Sequence, residues 1–519
     1  MTAGSPSGKS ILFVINEAGE FVELRRVALA AKQAGYSINF LFASASYVNL
    51  RQDRAFCRLN GFSDFFPGRS LRRSHLSKQY ASISQGLDNG YAPHSLKNAT
   101  RPRISKLAMW SALILSAISS PIIRLSSKLN AAADARKERR SNLFQPFNYA
   151  RNVYNKIRPS LVVFGQEFPG SINSLLIRMC NNDKVPTLIV PFAVGTTKEM
   201  VESLSDKPAY DSDQNLLNRM AAKLFPHWVN YYADKKLLRL PGDKIILLEA
   251  CGLAPEHPWI PNNSKVTRIA VESPEMLRYY QRMQFPASQL SLTGAAYDDI
   301  LYNARRSKTA REKVLRRLRL DNNKPLLVCA WPTDQYGSRN LPMEFPNYKA
   351  LCSAWAKALA VVHRFTDFNV IIRPHPVTDP ELLIEVLRPH RLHHRVTDID
   401  TLELVPACDL FVACVSSTLR WATACGIPAI NYDCYDYGYT DFDSAGGLIT
   451  TNRYSAFMQA IESMTDNKEA YQAARVQQQA CAKEWGLQDG DSMKRIITLI
   501  GELAPSSTPP TPSNQDNRP

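Results

Sequence analysis

The sequence predicts an α/β fold of two domains with parallel sheets, and two observations lead to this prediction. Short apolar runs of strand length alternate with longer segments of helical periodicity along most of the chain. This alternation is typical of βαβ units, in which a helix connects two parallel strands. The chain of 519 residues is also too long for one hydrophobic core of ordinary size. We therefore expect domains at 1–300 and 301–485, a closing helix at 486–502 and a disordered tail at 503–519.

Composition narrows the class of protein further. Apolar residues make up 45% of the chain, which is enough for two cores, and the formal net charge is +16. Such a charge favours an acidic partner, namely nucleic acid, anionic lipid or a phosphorylated substrate. The ten cysteines are scattered with no CxxC pair, and the N-terminus carries no signal-peptide pattern. We therefore expect a reduced, cytosolic chain without structural zinc.

The first predicted βαβ unit places two acids in a loop. Residues 10–15 (SILFVI) read as a buried strand, residues 21–34 as a helix that Gly35 ends, and residues 37–42 as the next strand. The loop between the first strand and the helix contains Glu17 and Glu20, at the strand end where parallel sheets bind ligands. From its position alone, Glu20 reads as a helix N-terminal acid favoured by the macrodipole, and a second interpretation follows from the resemblance given below.

The first domain is expected to contain a basic, apolar insertion at about 97–158. Within it, residues 107–123 (LAMWSALILSAISSPII) have apolar side chains on one side of a helix and serines on another. Flanking lysines and arginines favour a helix in the plane of an anionic membrane surface. A buried core helix is the alternative, and a membrane span fits least because it would split one domain across the bilayer. The residues predicted to contact the membrane are Trp110, Leu113, Ile114, Ile118 and Arg124.

Two later segments of the first domain contribute further candidates. Residues 161–164 are predicted as a strand that ends at Gly165, Gln166 and Glu167. Glu167 is either a structural N-terminal acid or a second candidate for the base. After the last predicted strand of this domain, the turn at 293–299 (TGAAYDD) leads into the second domain.

Three predicted strands of the second domain deliver polar loops to one edge of its sheet. Residues 325–330 lead to Trp331, Pro332 and Thr333, and residues 369–372 lead to the RPHP segment at 373–376. Residues 410–413 lead to the hydroxyl cluster at 416–418, at the start of a helix. An imidazole, a guanidinium and hydroxyls beside helix N–H groups suit a diphosphate. The alternatives are a structural imidazole for His375 and a simple N-cap pair for the serines.

The second half of the chain resembles the GT-B superfamily of glycosyltransferases. The resemblance rests on RPHP at 373–376, the pattern S-S-x-x-x-x-A-x-x-x-G-x-P at 416–428 and the turn at Tyr297, and it spans about 290–500. It is nearest to capsule polysaccharide transferases and CDP-glycerol glycerophosphotransferases, with UDP-GlcNAc 2-epimerases as cousins. The first domain matches only in outline. There, Gly19 and Glu20 stand where many members have Gly-His, so the implied base is a carboxylate.

This resemblance implies two Rossmann-like domains with parallel sheets facing a cleft, and a nucleotide-activated donor bound without a metal or other cofactor. His375 and Arg373 would neutralise the charge on the departing phosphate, and the hydroxyl cluster would hold its other oxygens. The residues implied in catalysis are Glu20, Glu167 and His375. The residues implied at the donor are Arg373, Ser416, Ser417, Thr418, Pro332, Thr333 and Tyr297.

Three functional hypotheses follow. The first is a transferase at the inner face of the cell membrane that extends a cell-envelope polysaccharide, such as a capsule, or a lipid-linked glycan. Its partners would be a nucleotide sugar or nucleotide-linked polyol, the glycan acceptor and the anionic membrane, with no nucleic acid. The second is a UDP-sugar 2-epimerase, which the apolar, cationic insertion disfavours. The third is a non-catalytic basic scaffold, although the sequence has no nucleic-acid-binding motif.

Overall fold

A computed structural model describes most of the chain outside residues 68–145, and residues 146–157 at the end of the predicted insertion form a helix whose residues Ala150, Val153 and Tyr154 pack into the core of the first domain. The described residues are 9–44, 47, 49–67, 146–192, 200–201, 204–205, 207–232, 234–338, 343–438 and 442–505. The five residues predicted to contact a membrane, Trp110, Leu113, Ile114, Ile118 and Arg124, lie outside these ranges. Within them, none of the helices combines the length and the apolar character that crossing a bilayer requires.

The first domain is built on a seven-stranded parallel sheet. In the order of the sheet its strands are β3, β2, β1, β4, β5, β8 and β9. Their bounds are β1 Ser10–Ile15, β2 Ser37–Phe42, β3 Ser63–Phe65, β4 Leu161–Phe164, β5 Thr187–Ile189, β8 Arg268–Val271 and β9 Leu290–Leu292. The central strands are apolar and buried along nearly their whole length, because helices cover both faces of the sheet. The strands predicted at 10–15, 37–42 and 161–164 have the expected bounds.

Helices and one hairpin complete this domain. The helices are α1 Ala18–Gln33, α2 Leu50–Leu59, α3 146–157, α4 Ile172–Asp183, α5 Leu216–Leu224, α6 Gly242–Cys251 and α7 Pro274–Arg282. The hairpin consists of β6 Val229–Tyr232 and β7 Lys235–Leu238, which pair antiparallel outside the main sheet. The hairpin packs with α5 and α6 in a small separate cluster around the buried Trp228. The sequence pattern did not predict the hairpin, because its two strands are four residues long and half polar.

The second domain is a five-stranded parallel sheet in the order β11, β10, β12, β13 and β14. Its strands are β10 Leu326–Ala330, β11 Asn369–Arg373, β12 Leu410–Ala413, β13 Ala429–Tyr432 and β14 Leu448–Thr451. Its helices, with those that join it to the first domain, are α8 Asp298–Arg306, α9 Ala310–Leu318, α10 Tyr348–Phe365, α11 Pro380–Leu387, α12 Thr401–Ala407, α13 Thr418–Ala424, α14 Tyr454–Asp466 and α15 Lys468–Trp485. Short 3-10 turns lie at Pro208–Tyr210, Pro226–Trp228, Ala287–Gln289, Tyr336–Ser338, Arg388–His390 and His393–Arg395.

Both sheets are doubly wound, and each has a point where the strand order reverses. In the first sheet this point lies between β1 and β4, and in the second between β10 and β12. Ligands of such sheets bind beyond the carboxyl ends of the strands at this point. The two carboxyl edges face each other, because Arg420 of α13 donates to the carbonyl of Glu272, which follows β8 (2.9 Å). The predicted fold of two Rossmann-like domains with parallel sheets is confirmed.

The last helix, α16 (Ser492–Leu503), returns from the second domain to the first. Its apolar residues Ile496, Leu499 and Ile500 belong to the same core cluster as β1, β2 and α1. Both oxygens of the Asp299 carboxylate accept backbone N–H groups from the first turn of α16, at 2.9 Å each. Since Asp299 lies at the domain crossover, this cap fixes where the returning helix begins.

A buried guanidinium joins the domains next to the donor loops. Arg420 is 1% exposed, and it donates to the hydroxyl of Tyr297 and to the carbonyl of Glu272. The carboxylate of Asp298, which is fully buried, lies 3.7 Å from the same guanidinium. Burial raises the pKa of Asp298 to about 6, while the positive charge of Arg420 opposes this shift. Asp298 also accepts the backbone N–H of Leu487, so one ion cluster holds three segments together.

We predict that Arg420→Met destabilises the fold by about 3–5 kcal/mol at neutral pH, because it leaves the carboxylate of Asp298 buried without its cation. Urea unfolding of the purified protein measures this loss. Arg278→Met is the matched control, since Arg278 also bridges the domains, to Glu484 at 2.8 Å, but is 44% exposed. The control should lose at most about 1 kcal/mol. Equal losses in the two variants would contradict the role given to Arg420.

Candidate active site

The hydroxyl cluster forms a turn at the reversal point of the second sheet. It follows β12, and Ser416, Ser417 and Thr418 are all partly exposed. The hydroxyls of Ser416 and Thr418 lie 2.8 Å apart, and the Thr418 N–H donates to Ser416 Oγ at 3.3 Å. Ser417 is the N-cap residue of α13, but its side chain accepts no capping hydrogen bond. The structure thus brings the three predicted hydroxyls together at one edge of the sheet.

The turn is held in an unusual backbone conformation. Val415, directly before it, has φ +41°, a region that β-branched residues rarely adopt. Its N–H donates to Asn431 Oδ1 at 2.8 Å, and Asn431 is fully buried on β13. Among the described residues no group accepts a hydrogen bond from Asn431 Nδ2. Strain of this kind persists only where surrounding contacts determine it, so Asn431 fixes the position of the turn.

The predicted RPHP loop follows β11 and presents His375 to solvent. His375 Nδ1 accepts the backbone N–H of Val377 at 3.3 Å. In the neutral ring the proton therefore lies on Nε2, which can donate to an incoming anion. Surrounding protein atoms, and then the charge on Arg373, lower the pKa of His375 below its ordinary value. The imidazole is accordingly neutral at pH 7 until an anion arrives.

Arg373 is engaged with the backbone of its own domain. Its Nε donates to the carbonyl of Ile399 at 2.9 Å, and its Nη1 donates to the carbonyl of Pro374. These bonds tie the RPHP loop to the segment before α12. The contact between Arg373 and a phosphate stays a prediction, and the observed role of the side chain is to fix the loop that carries His375.

Aromatic residues that the sequence analysis did not select hold the loop after β10. The carbonyl of Pro332 accepts the hydroxyl of Tyr348 at 2.7 Å, and the carbonyl of Thr333 accepts the hydroxyl of Tyr435. Tyr437 donates in the same way to the side chain of Gln335. Pro332 is buried and Thr333 is partly exposed at the reversal point. The cluster of tyrosines after β13 was the available sequence signal for these contacts.

Tyr297, which was predicted to contact the donor, lies in an enclosed position between the two domains. It is 5% exposed, its ring packs on Trp421 with the centroids 5.0 Å apart, and its hydroxyl accepts from Arg420. The side chain therefore belongs to the ion cluster between the domains. Its contact with a donor stays a prediction, and its observed contacts are those with Arg420 and Trp421.

On the first domain, Glu20 is fully buried in the first turn of α1, beyond the end of β1, where it forms a capping box with the N-cap residue Glu17. Its carboxylate accepts from the backbone and side-chain N–H groups of Asn16 and from the N–H of Glu17 at 3.4 Å. Burial, and then repulsion from Glu17, raise the pKa of Glu20 to about 8. A Cβ at Gly165, which follows β4, would lie 2.8 Å from Glu20 Cγ, so the close approach of the two loops requires glycine here. Glu20 thus sits at the reversal point of the first sheet.

Glu167 has a structural setting. It is 1% exposed and accepts from Ser174 Oγ at 3.0 Å and from the N–H of Ser264 at 3.2 Å. Its backbone N–H donates to Asn262 Oδ1 at 2.8 Å. These bonds anchor the segment before β8 to the end of β4, which favours the structural interpretation, and the role of Glu167 as a base stays a prediction.

Glu17 is a partly exposed acid beside Glu20, between β1 and α1, that the predicted site omitted. Its carboxylate accepts a hydrogen bond from Gln166 Nε2 at 2.7 Å.

The described part of the chain contains no group of three or more His, Cys, Asp or Glu side chains arranged to hold a metal ion.

The fold resembles several solved structures. A Listeria monocytogenes protein assigned as a UDP-N-acetylglucosamine 2-epimerase superposes with a TM-score of 0.50 and 10% identity, over 97% of this chain and 98% of that one. The calicheamicin glycosyltransferase CalG4 gives 0.49 and 11%, over 97% and 100%. The wall teichoic acid polymerase TagF, solved with CDPG, gives 0.47 and 11%, over 95% and 88%. At 10% identity the likeness to the Listeria protein concerns the fold alone, and together with the two parallel sheets it supports the predicted GT-B arrangement of two Rossmann-like domains. No protein-family model and no curated protein sequence matches the chain.

The raised pKa of Glu20 predicts a specific pH dependence of stability. The folded state binds a proton at Glu20 up to about pH 8, whereas the unfolded state loses it near the ordinary value of 4.5. Stability therefore falls as pH rises from about 5 to 8, by at most about 1.4 kcal/mol per pH unit from this group. Glu20→Gln removes this contribution, so the stability of the variant relative to wild type should increase across that range in urea unfolding.

Glu17→Gln is the control for this experiment. It removes the repulsion that helps to raise the pKa of Glu20. Stability should therefore still fall with rising pH, but over a narrower pH range. A constant difference between Glu20→Gln and wild type from pH 5 to 8 would show that Glu20 is already ionised in the folded protein.

Proposed function

We propose that this GT-B chain is a glycosyltransferase, or a polyol-phosphate transferase, that uses a nucleotide-activated donor. One observation carries the proposal. The loops of the second domain that contain Thr333, His375 and Ser416 all lie at the carboxyl edge of its sheet, and that edge faces the first domain. The first domain presents Glu20 at its own reversal point. A donor site and a base on facing sheets are the two components that group transfer needs.

The donor loops suit a leaving phosphate. His375 offers an Nε2 proton, and the mutually bonded hydroxyls of Ser416 and Thr418 leave one further O–H free to donate, in a turn that Asn431 holds in place. Donors fixed before the reaction stabilise charge that develops on the departing phosphate, because they need not reorganise. The bond between the transferred group and the phosphate breaks, and the phosphate leaves with the electron pair.

Glu20 is the proposed base. With a pKa of about 8 its ionised fraction grows as the pH rises from 7 to 8, and this carboxylate form accepts the proton of an acceptor hydroxyl as the hydroxyl oxygen attacks the donor. Its carboxylate is fully buried and bonded to Asn16 and to the N–H of Glu17, so acceptor entry requires that these contacts open. We also propose that the reaction proceeds without a metal ion, because His375 and the hydroxyl turn would stabilise the charge on the departing phosphate themselves.

The proposed acceptor is a cell-envelope polysaccharide, such as a capsule, or a lipid-linked glycan. The net charge of +16 supports it, because a basic surface is attracted to anionic lipid. The part of the predicted insertion that precedes α3 would provide the membrane contact, and the proposed location is the inner face of the cell membrane. A 2-epimerase would convert the nucleotide sugar without an acceptor, so product analysis distinguishes the two activities.

We predict that one nucleotide among UDP, GDP, CMP, CDP and ADP stabilises the protein against heat. At about a hundred times its dissociation constant, a nucleotide should add about 2.7 kcal/mol of stability. His375→Ala should remove most of this shift, because it deletes the exposed imidazole of the donor loop. His393→Ala is the matched control, since that imidazole is exposed on the same domain but lies in a turn outside the donor loops. The donor site would be refuted if no nucleotide shifts the melting temperature while anionic vesicles do.

We predict that Glu20→Gln lowers transfer to the acceptor by about 10²–10⁴-fold, the usual contribution of a positioned base. The same variant should keep the thermal shift produced by the nucleotide, since Glu20 lies on the other domain. In wild type the transfer rate should rise with pH towards about 8, as the carboxyl group of Glu20 ionises. If Glu17→Gln reduces transfer while Glu20→Gln does not, the base is the exposed acid of the loop.

A further inference from the structure

Two cysteine thiols meet beside the candidate donor site. Cys414 follows β12 and Cys434 follows β13, and their Sγ atoms lie 3.2 Å apart. Both are free thiols in the structure. The contact follows from the sheet, because β12 and β13 are neighbouring parallel strands that pair Ala413 with Asn431. Residues just beyond the carboxyl ends of such strands lie at the same edge of the sheet.

The two thiols differ in accessibility. Cys414 is partly exposed, whereas Cys434 is 6% exposed and packs in the core of the second domain. Burial, and then the neighbouring Cys414 thiol, raise the pKa of Cys434 well above its ordinary value. A soluble thiol reagent therefore reaches Cys414 first, and Cys434 is placed to react with whatever forms there. This division into an attacking and a resolving cysteine is typical of redox-active pairs.

We propose that Cys414 and Cys434 are a modification site that forms a reversible disulfide with a low-molecular-weight disulfide, such as oxidised glutathione, as the oxidant. The Cys414 thiolate attacks one sulfur of the oxidant, which breaks the S–S bond and releases one thiolate. The Cys434 thiolate then attacks Cys414 Sγ in the mixed disulfide and releases the second thiolate. The protein loses two protons and two electrons, and the oxidant becomes two reduced thiols.

The bond would alter the donor loops. A disulfide requires the sulfurs to be about 2.05 Å apart, so they must approach each other by more than about 1 Å from their present separation. Cys414 lies two residues before Ser416, and Cys434 directly precedes Tyr435, which holds the carbonyl of Thr333. Oxidation therefore displaces the hydroxyl turn relative to the loop after β10. This consequence for binding rests on the proposed donor site, whereas the disulfide itself does not.

Peptide mapping of the full-length protein tests the modification. The protein is incubated in glutathione buffers of increasing oxidised fraction, quenched in acid, alkylated, digested without reductant and analysed by mass spectrometry. We expect a linked pair of peptides containing Cys414 and Cys434, lighter by two hydrogens than the free peptides and separated by dithiothreitol. Cys414→Ser and Cys434→Ser should each abolish the link.

Cys251 provides the internal control, since it is exposed and has no second thiol at bonding distance among the described contacts. It should acquire glutathione and keep it. If Cys414 also keeps its glutathione, or stays fully alkylatable at oxidant levels that modify Cys251, the proposed disulfide is overturned.

Nucleotide binding provides the second measurement. Oxidation should lower the affinity for the nucleotide by about tenfold, which is the effect of losing one hydrogen bond to a charged group. Cys414→Ser should bind the nucleotide as wild type does and should be insensitive to the oxidant. A disulfide that forms without changing affinity overturns its effect on the donor loops. A reduced protein that binds no nucleotide refutes the donor site, while the peptide map still decides whether the disulfide forms.

Discussion

The guanidinium of Arg420 is the contact on which the arrangement of the two domains depends. A buried cation must be compensated, and its partners come from the end of β8, the crossover at Tyr297 and Asp298, and, through Asp298, the segment before α16. Because Arg420 belongs to the helix that begins at the hydroxyl turn, the ion cluster sets the position of that turn relative to the first domain. The geometry of the proposed reaction thus depends on a residue that need not touch a substrate.

The hydroxyl turn is fixed from three directions. Arg420 holds the helix that follows it, Asn431 holds the strained Val415 that precedes it, and Cys414 contacts the neighbouring loop through Cys434. Each contact links the turn to a different segment. A movement of the backbone at any of them, unlike an isosteric replacement such as Cys414→Ser, displaces donors whose positions relative to a phosphate must be accurate to a fraction of an ångström. This explains why a thiol modification two residues away is expected to act on nucleotide affinity.

The two facing edges carry opposite electrostatic arrangements. The second domain presents a neutral imidazole and hydroxyls, whose hydrogen bonds are stronger when the acceptor is an anion. The first domain buries carboxyl groups, and Glu20 is held largely protonated at neutral pH by desolvation and by Glu17. An acid kept near its titration point at neutral pH is suited to exchange protons with a hydroxyl. The overall positive charge then acts at longer range, on the approach of anionic donors and membranes.

The sequence by itself determined the fold class, the main strands and the loops that carry His375 and Ser416, because strand periodicity and turn chemistry are local properties. It also placed Glu20 between the first strand and the body of the helix that follows, and the structure puts it in the first turn of that helix. Only the tertiary structure decided that Tyr297 is enclosed by Arg420, that Glu167 anchors a neighbouring segment and that Arg373 is occupied by carbonyl groups. The tyrosines around Thr333 and the Cys414–Cys434 pair also emerged only there. These roles depend on contacts between residues far apart in the chain, and such contacts leave no local pattern.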